Sequence, residues 1–239
     1  MKEGSPSREL QLEVRTIPDE LRRKLKLKPF YSKVLSLGDF PVLSSEKVSD
    51  YALLEAGYLI HQMLEGRDQI LNAMARNRIR FTIMACDEFT TQVPEHSDLE
   101  PPKFWDKRAR GLGSTHGRPS VSCGEENLLG IPGDPYKSEN ILIHEFAHAL
   151  HNTGMDLVDP SFDSRLKATY EAAMKKGLWK TKYAANNHHE YWAEGVQSWF
   201  DTNRKPDHDH NHVDTREELI EYLSLIHISE PTRPERIGG

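Results

Sequence analysis

Residues Ile141–Leu150 read ILIHEFAHAL and carry an H-E-x-x-H pattern from His144 to His148. The flanks are uncharged and compatible with a helix. On an α-helix, residues four apart share one face, so both imidazoles can reach one metal ion. Glu145 is rotated away by one residue step, so its carboxylate addresses a water on the ion rather than the ion itself. Zinc lowers the pKa of such a water to about 7, and a neighbouring carboxylate can take its proton. The outcome is a hydroxide nucleophile beside a Lewis acid, which peptide hydrolysis requires. The competing reading is a buried helix with two satisfied histidines. It is the weaker one, because two His and one Glu are costly on an otherwise apolar helix. Ser138 is the expected helix cap, and Glu139 suits the first turn.

A zinc ion that does chemistry takes three protein ligands and keeps a position open for water. Metzincin spacing would place Gly at 151 and His at 154. The chain has His151 and Gly154, which excludes that class. The other route is a carboxylate from a later helix, and His189-Glu190-Tyr191-Trp192-Ala193-Glu194 offers two. Glu190 and Glu194 are spaced i, i+4 and project from one face. Two acids on an aromatic helix suggest one ligand and one group that orients a ligand from behind. The bland alternative is a pair of surface acids.

Together these motifs resemble the gluzincin catalytic domain of the anthrax lethal factor type. In that family an HEFGH helix is followed by a later helix of the form E-F-F-A-E. Its first glutamate is the third zinc ligand, and a tyrosine seven positions earlier points into the site. Here Tyr183 lies seven positions before Glu190. The resemblance therefore implies Zn2+ held by His144, His148 and Glu190, with Glu145 as general base. It further implies Tyr183 as the group that polarises or protonates, and Glu194 as acceptor for a ligand histidine. It covers residues 120–205, and EYWAEGVQSWFD is also similar to a motif of further zincin-like proteins. The toxin's other domains have no counterpart here, so its toxicity does not carry over.

The zinc motif implies a peptide or protein substrate, and the bulk properties bound the rest. The 239 residues suffice for one large domain or two small ones. A net charge of −6 points away from nucleic acid. No stretch approaches the roughly 20 apolar residues of a membrane span. The start, MKEGSPSREL, has no apolar core of a signal peptide. The expectation is a cytosolic chain, or an exported one whose true N-terminus is missing. Cys86 and Cys123 are too few for a disulfide scaffold and read first as buried free thiols, with a bridge as the alternative. Neither charge nor patterning specifies an oligomeric state.

The patterning predicts an α+β, zincin-like fold, with a small twisted sheet over the motif helix and a mostly helical lower part. Residues 1–28, with their basic run Arg22–Lys28, read as a loose arm, and 29–222 as the catalytic domain. Tyr31–Leu43 predicts a strand and a loop at Gly38. Residues 45–63 predict a helix opened by Ser49 or Asp50, and a second helix follows Gly66. Ile79–Ala85 is the best strand, and Ser120–Cys123 a shorter one. Residues 94–119 are rich in Pro, Gly and charge and read as a long loop, solvated in the first reading and lining a cleft in the alternative. Helices are expected over 138–152, 162–176 and 188–202, with Trp192, Trp199 and Phe200 as core. The loop His208–His212, DHDHNH in context, reads as polar, with a second metal site as the alternative. A last helix starts at Asp214, with Glu217 three residues on. Residues 223–233, LSLIHISEPTR, resemble a translated sequencing adaptor, which implies a non-native tail over 223–239. The runner-up function, from a different class, is a zinc-stabilised binding or regulatory module without turnover.

Overall fold

The computed structural model describes residues 11–227, and the protein is a mixed α+β structure built on one small mixed sheet. The chain begins with β1 (Val14–Thr16), α1 (Asp19–Leu25) and the hairpin β2 (Lys33–Leu37) and β3 (Phe40–Ser44). Gly38 makes the hairpin turn at φ +58°, a backbone region that disfavours side chains. Next come α2 (Asp50–Met63), α3 (Asp68–Arg76), β4 (Arg80–Met84), α4 (Pro102–Arg108), β5 (Gly111–Leu112) and β6 (Ser120–Gly124). The remainder is helical: α5 (Glu125–Leu129), α6 (Ile141–Ala149), a π-helical turn (Leu150–Met155), α7 (Asp156–Val158), α8 (Phe162–Lys175), α9 (His188–Trp199) and α10 (Arg216–His227).

The sheet runs β1-β2-β3-β4-β6-β5. β3, β4 and β6 are parallel neighbours, and the outer pairs are antiparallel. Side chains alternate across it, as strand geometry demands. Phe81, Ile83, Val121 and Cys123 face the main core, which α2, α3, α6 and α9 complete. On the other face Val34 and Leu43 join Ile17, Leu25 and Leu27 in a small apolar cluster, while β4 and β6 present polar groups. There Tyr31, Thr82 and Ser120 form a hydroxyl chain, with Thr82 Oγ1 and Ser120 Oγ 2.7 Å apart. Arg80 pairs with Glu95, and Tyr31 also donates to Glu95. A second core joins α8, α9 and α10 through Leu166, Trp179, Tyr191, Val213 and Leu219. The helix α9 serves both cores, offering Ala193 and Val196 to one and Tyr191 to the other. It therefore locks its acidic face against α6.

Several expectations need correction. The arm read over 1–28 carries β1 and α1 within the described residues. β1 pairs with β2, and Leu25 and Leu27 bury beneath Tyr31. Pairing and two leucines supply the order that composition concealed. The segment 94–119 is not a bare loop, since it contains α4 and β5. Ser138 does not cap α6; Asn140 does, accepting from the Ile143 N–H at 3.1 Å. The helix read over 138–152 becomes a π-helical turn after Ala149. Trp199 is 45% exposed, with the Arg216 guanidinium above its ring, and is not core. Both cysteines are free, but only Cys123 is buried. The boundary read at 222 falls inside α10, where Leu223 packs on the second core; the tail beyond 227 lies outside the described residues. Among the described residues, no helix is long and apolar enough to cross a membrane.

Candidate metal centre

The position of α6 follows from its apolar side chains. Phe146 is fully buried, with ring centroids 5.9 Å from Phe40 and 6.3 Å from Phe81. Asn127 holds the helix start, accepting from the Ile141 N–H at 2.8 Å while donating to the Glu139 carbonyl at 2.9 Å. With the apolar stripe facing the sheet, His144 and His148 point toward α9. That helix is started by Asn187, whose side chain accepts from the backbone N–H groups of His189 and Glu190, both at 2.9 Å. Glu190 thus sits in the first turn, where a carboxylate is favoured by the helix dipole. Trp192 donates to the Ala147 carbonyl at 2.9 Å and fastens the two helices at the level of the motif.

The result is a nearly equilateral triangle of donors. His144 Nε2 and His148 Nε2 stand 3.1 Å apart, and Glu190 Oε2 lies 3.3 Å and 3.2 Å from them. A tetrahedral ion with bonds of about 2.0–2.1 Å has donor–donor edges of about 3.3–3.4 Å. The three atoms match this to within a few tenths of an ångström. Glu190 Oε2 is buried and has no well-aligned hydrogen bond among the described residues, despite the two ring nitrogens beside it. Three converging donors, one of them a buried carboxylate oxygen without a hydrogen bond, suit a cation, so these residues fit a zinc-type ion.

Orientation comes from behind the rings. Gln197 is fully buried, and its Oε1 lies 2.8 Å from His144 Nδ1. Its Nε2 donates to the Asn140 carbonyl at 3.2 Å, which can only accept, so Oε1 must face the imidazole. The network therefore assigns the proton to Nδ1 and leaves the Nε2 lone pair aimed at the triangle. Glu194, expected to accept from a ligand histidine, stands 3.8 Å from His144 Nδ1, beyond hydrogen-bond reach. It is engaged instead by Asn203 Nδ2 at 3.1 Å and lies 3.5 Å from His210 Nε2. Sequence reasoning missed Gln197. Its spacing seven residues after Glu190 places it on the same helical face, which was the available signal.

Charge is concentrated here. In the metal-free chain burial pulls the His144 imidazole down, but Glu190, Glu145 and Glu194 outweigh it and push it up to about 10, so an ion taking the Nε2 lone pair would displace a proton from it. Burial likewise pushes Glu190 up, and the two imidazoles overcome it to hold the carboxyl well below its usual range. Burial pushes the Glu145 carboxyl up, countered in part by His144, His148 and the Gly113 backbone. The Tyr183 hydroxyl is pushed well above its ordinary value by burial and by Glu190, Glu145 and Glu194.

These groups line a cavity of about 440 Å3, whose wall includes His144, Glu145, His148, Tyr183, Glu190 and Glu194. Tyr183 opens a short 3-10 turn, and its ring centroid lies 6.4 Å from that of His144. All sequence-predicted site residues are therefore brought together. Arg108, Ala109, Gly111 and Leu112 also line the cavity, so the segment read as solvated forms one of its walls. There β5 rests directly on α6. A Cβ on Gly111 would lie 2.5 Å from Ile141 Cγ2 and 3.1 Å from Glu145 Cγ, and one on Gly113, just past the strand, 2.9 Å from His148 Cβ. The histidines of 208–212 do not converge. His210 is buried between Asp207 and Glu194, His208 is exposed beside Asp209, and His212 packs on Tyr222.

No protein-family model matches the chain, and no curated protein matches it.

Proposed function

We propose that this chain is a zinc-dependent endopeptidase with a zincin-like fold of the gluzincin type, acting on a peptide or protein. The observation that carries the reading is the triangle of His144 Nε2, His148 Nε2 and Glu190 Oε2, with edges of 3.1, 3.3 and 3.2 Å. Zn2+ held there supplies Lewis acidity toward a water molecule and toward the scissile carbonyl. Glu145, beside the triangle but outside it, takes the proton of the attacking water and hands it to the leaving nitrogen. Its raised pKa brings it nearer to neutral pH, where an acceptor and donor of one proton works best. Tyr183 keeps its proton at neutral pH and is a hydrogen-bond donor for the oxygen on which charge develops. Gln197 holds His144 in the tautomer that binds metal.

The edge strand β5 supports an extended substrate. It ends the sheet, and both of its residues line the cavity. A peptide adding its backbone there would run antiparallel or parallel to β5 and past Glu145. The glycines at 111 and 113 keep that strand close to the helix. A zinc module without turnover needs neither Glu145 nor Tyr183, so their placement favours the enzyme. Incubation with a peptide library, before and after removal of metal by a chelator, tests the reading. Cleavage that disappears with the metal and returns with Zn2+ supports it. Cleavage indifferent to the chelator contradicts it.

A further inference from the structure

A second group of ligand-type side chains gathers where α6 gives way to the π-helical turn. His151 lies in that turn and is buried, 4% exposed. His188 and His189 begin α9, and Asp163 lies in the first turn of α8. One ring nitrogen from each histidine falls within 4.8 Å of the others. Asp163 Oδ1 stands 2.8 Å from His151 Nε2 and 3.1 Å from His188 Nε2. The ring centroids of His151 and His189 are 4.6 Å apart and those of His188 and His189 4.2 Å, comparable to the 4.8 Å between His144 and His148. His151 Nδ1 is buried and without a hydrogen-bond partner among the described residues.

Fastening α8 to α9 would need only the contact between Asp163 and His188. A third imidazole buried with one nitrogen unpaired adds a desolvation cost that such a fastening does not return. Three converging imidazoles are, however, a donor set for a borderline divalent ion, and a carboxylate beside them is the usual partner that orients such ligands. The element that presents His151 points the same way, because π-helical turns are rare and recur at functional sites. Phe162 and Tyr170 wall the cluster with rings 5.7 Å from His151 and 6.4 Å from His188.

We propose that His151, His188 and His189 form a second metal site, for a borderline divalent ion such as Zn2+, with Asp163 orienting His151 and His188 from beside it. It shares no donor with His144, His148 and Glu190. It joins α8, α9 and the turn after α6, so an ion bound to the folded chain alone raises the melting temperature. It also ties down the residue before Glu190 and the turn after His148.

The test is metal stoichiometry on purified full-length chain stripped with a chelator, then dialysed against Zn2+ and, separately, Co2+. Asp163 is exposed and His188 partly so, which makes the pair Asp163→Asn with His188→Ala tolerable to the fold. The parent is expected to bind two ions, this double variant one, and His148→Ala one. The zinc-dependent rise in melting temperature should shrink in the double variant. A parent with one ion, lost in His148→Ala and kept in the double variant, overturns the second site and leaves the proposed peptidase centre standing. A parent with one ion, kept in His148→Ala and lost in the double variant, supports the second site and removes the first. A parent that binds none overturns both.

Discussion

Gln197→Leu separates the support of the candidate site from the site itself. The side chain is fully buried, and leucine nearly preserves its volume, so packing changes little. What is lost is polar. His144 Nδ1–H loses its acceptor at 2.8 Å. The Asn140 carbonyl loses the amide donor at 3.2 Å but keeps the His144 backbone N–H at 3.3 Å. Glu139 keeps its ion pair with Arg204. One buried donor is therefore orphaned, which costs about 1–3 kcal/mol. Glu194 Oε1, at 3.8 Å, can shift to accept part of that proton, which places the expectation at the lower end. Urea unfolding of metal-free protein should show a loss of about 1–2 kcal/mol. Zinc affinity, read by competition with a chromogenic chelator, should fall about 10–100-fold, as for other groups that orient a ligand. A Gln197→Leu chain that binds zinc within about twofold of the parent, while Glu194→Gln loses affinity, would refute the reasoning and make Glu194 the orienting group.

Other perturbations reach different parts of the structure. His96 is buried against Ser122, and burial pushes its imidazole down to about 4. Its folded pKa lies below the unfolded value, so its contribution is complete above about pH 6.5 and is lost as pH falls toward 4, at roughly 2 kcal/mol by pH 5. Urea unfolding of metal-free protein at pH 7 and pH 5 should show a shallower decline for His96→Gln, and an equal decline would contradict the assignment. Gly111→Ala would place a Cβ 2.5 Å from Ile141 Cγ2 and 3.0 Å from the Ser122 carbonyl oxygen, a backbone atom that cannot step aside. It should cost about 1–3 kcal/mol and slow peptide hydrolysis at unchanged zinc content; parental stability and turnover would show that β5 does not rest on α6. Tyr183→Phe should lower kcat by about 10²–10³ with zinc content and KM little changed. A parental kcat would remove the hydroxyl from the reaction.

The residues of the site were legible because their chemistry is expensive. His144, Glu145 and His148 on an apolar helix, and Glu190 one face away from solvent, demand a reason that periodicity alone exposes. Gln197 was not legible, because a neutral amide on an amphipathic helix has no such cost until it is buried against an imidazole. In the fold, β2–β3, α2, α3, β4 and β6 follow apolar periods that turn residues interrupt. β1 and β5 do not: three and two residues long, they owe their state to the strands beside them. Neighbours, not propensity, decide such short strands. The π-helical turn was hidden for a related reason. Nothing in the composition of Leu150–Met155 marks a widened helix, and the close packing at Gly154, where a Cβ would lie 3.1 Å from Ile70 Cγ2 and 3.2 Å from Met74 Sδ, exists only in three dimensions.

The most direct test of the central claim is a paired measurement on Glu145→Gln, zinc content and peptide hydrolysis on one preparation. Glutamine keeps the shape of the side chain beside His144 and His148 but cannot accept a proton from water. The expected result is zinc at the parental stoichiometry, with hydrolysis reduced at least about 10²-fold, the scale of a lost general base. Hydrolysis near the parental rate at full zinc content would contradict the account.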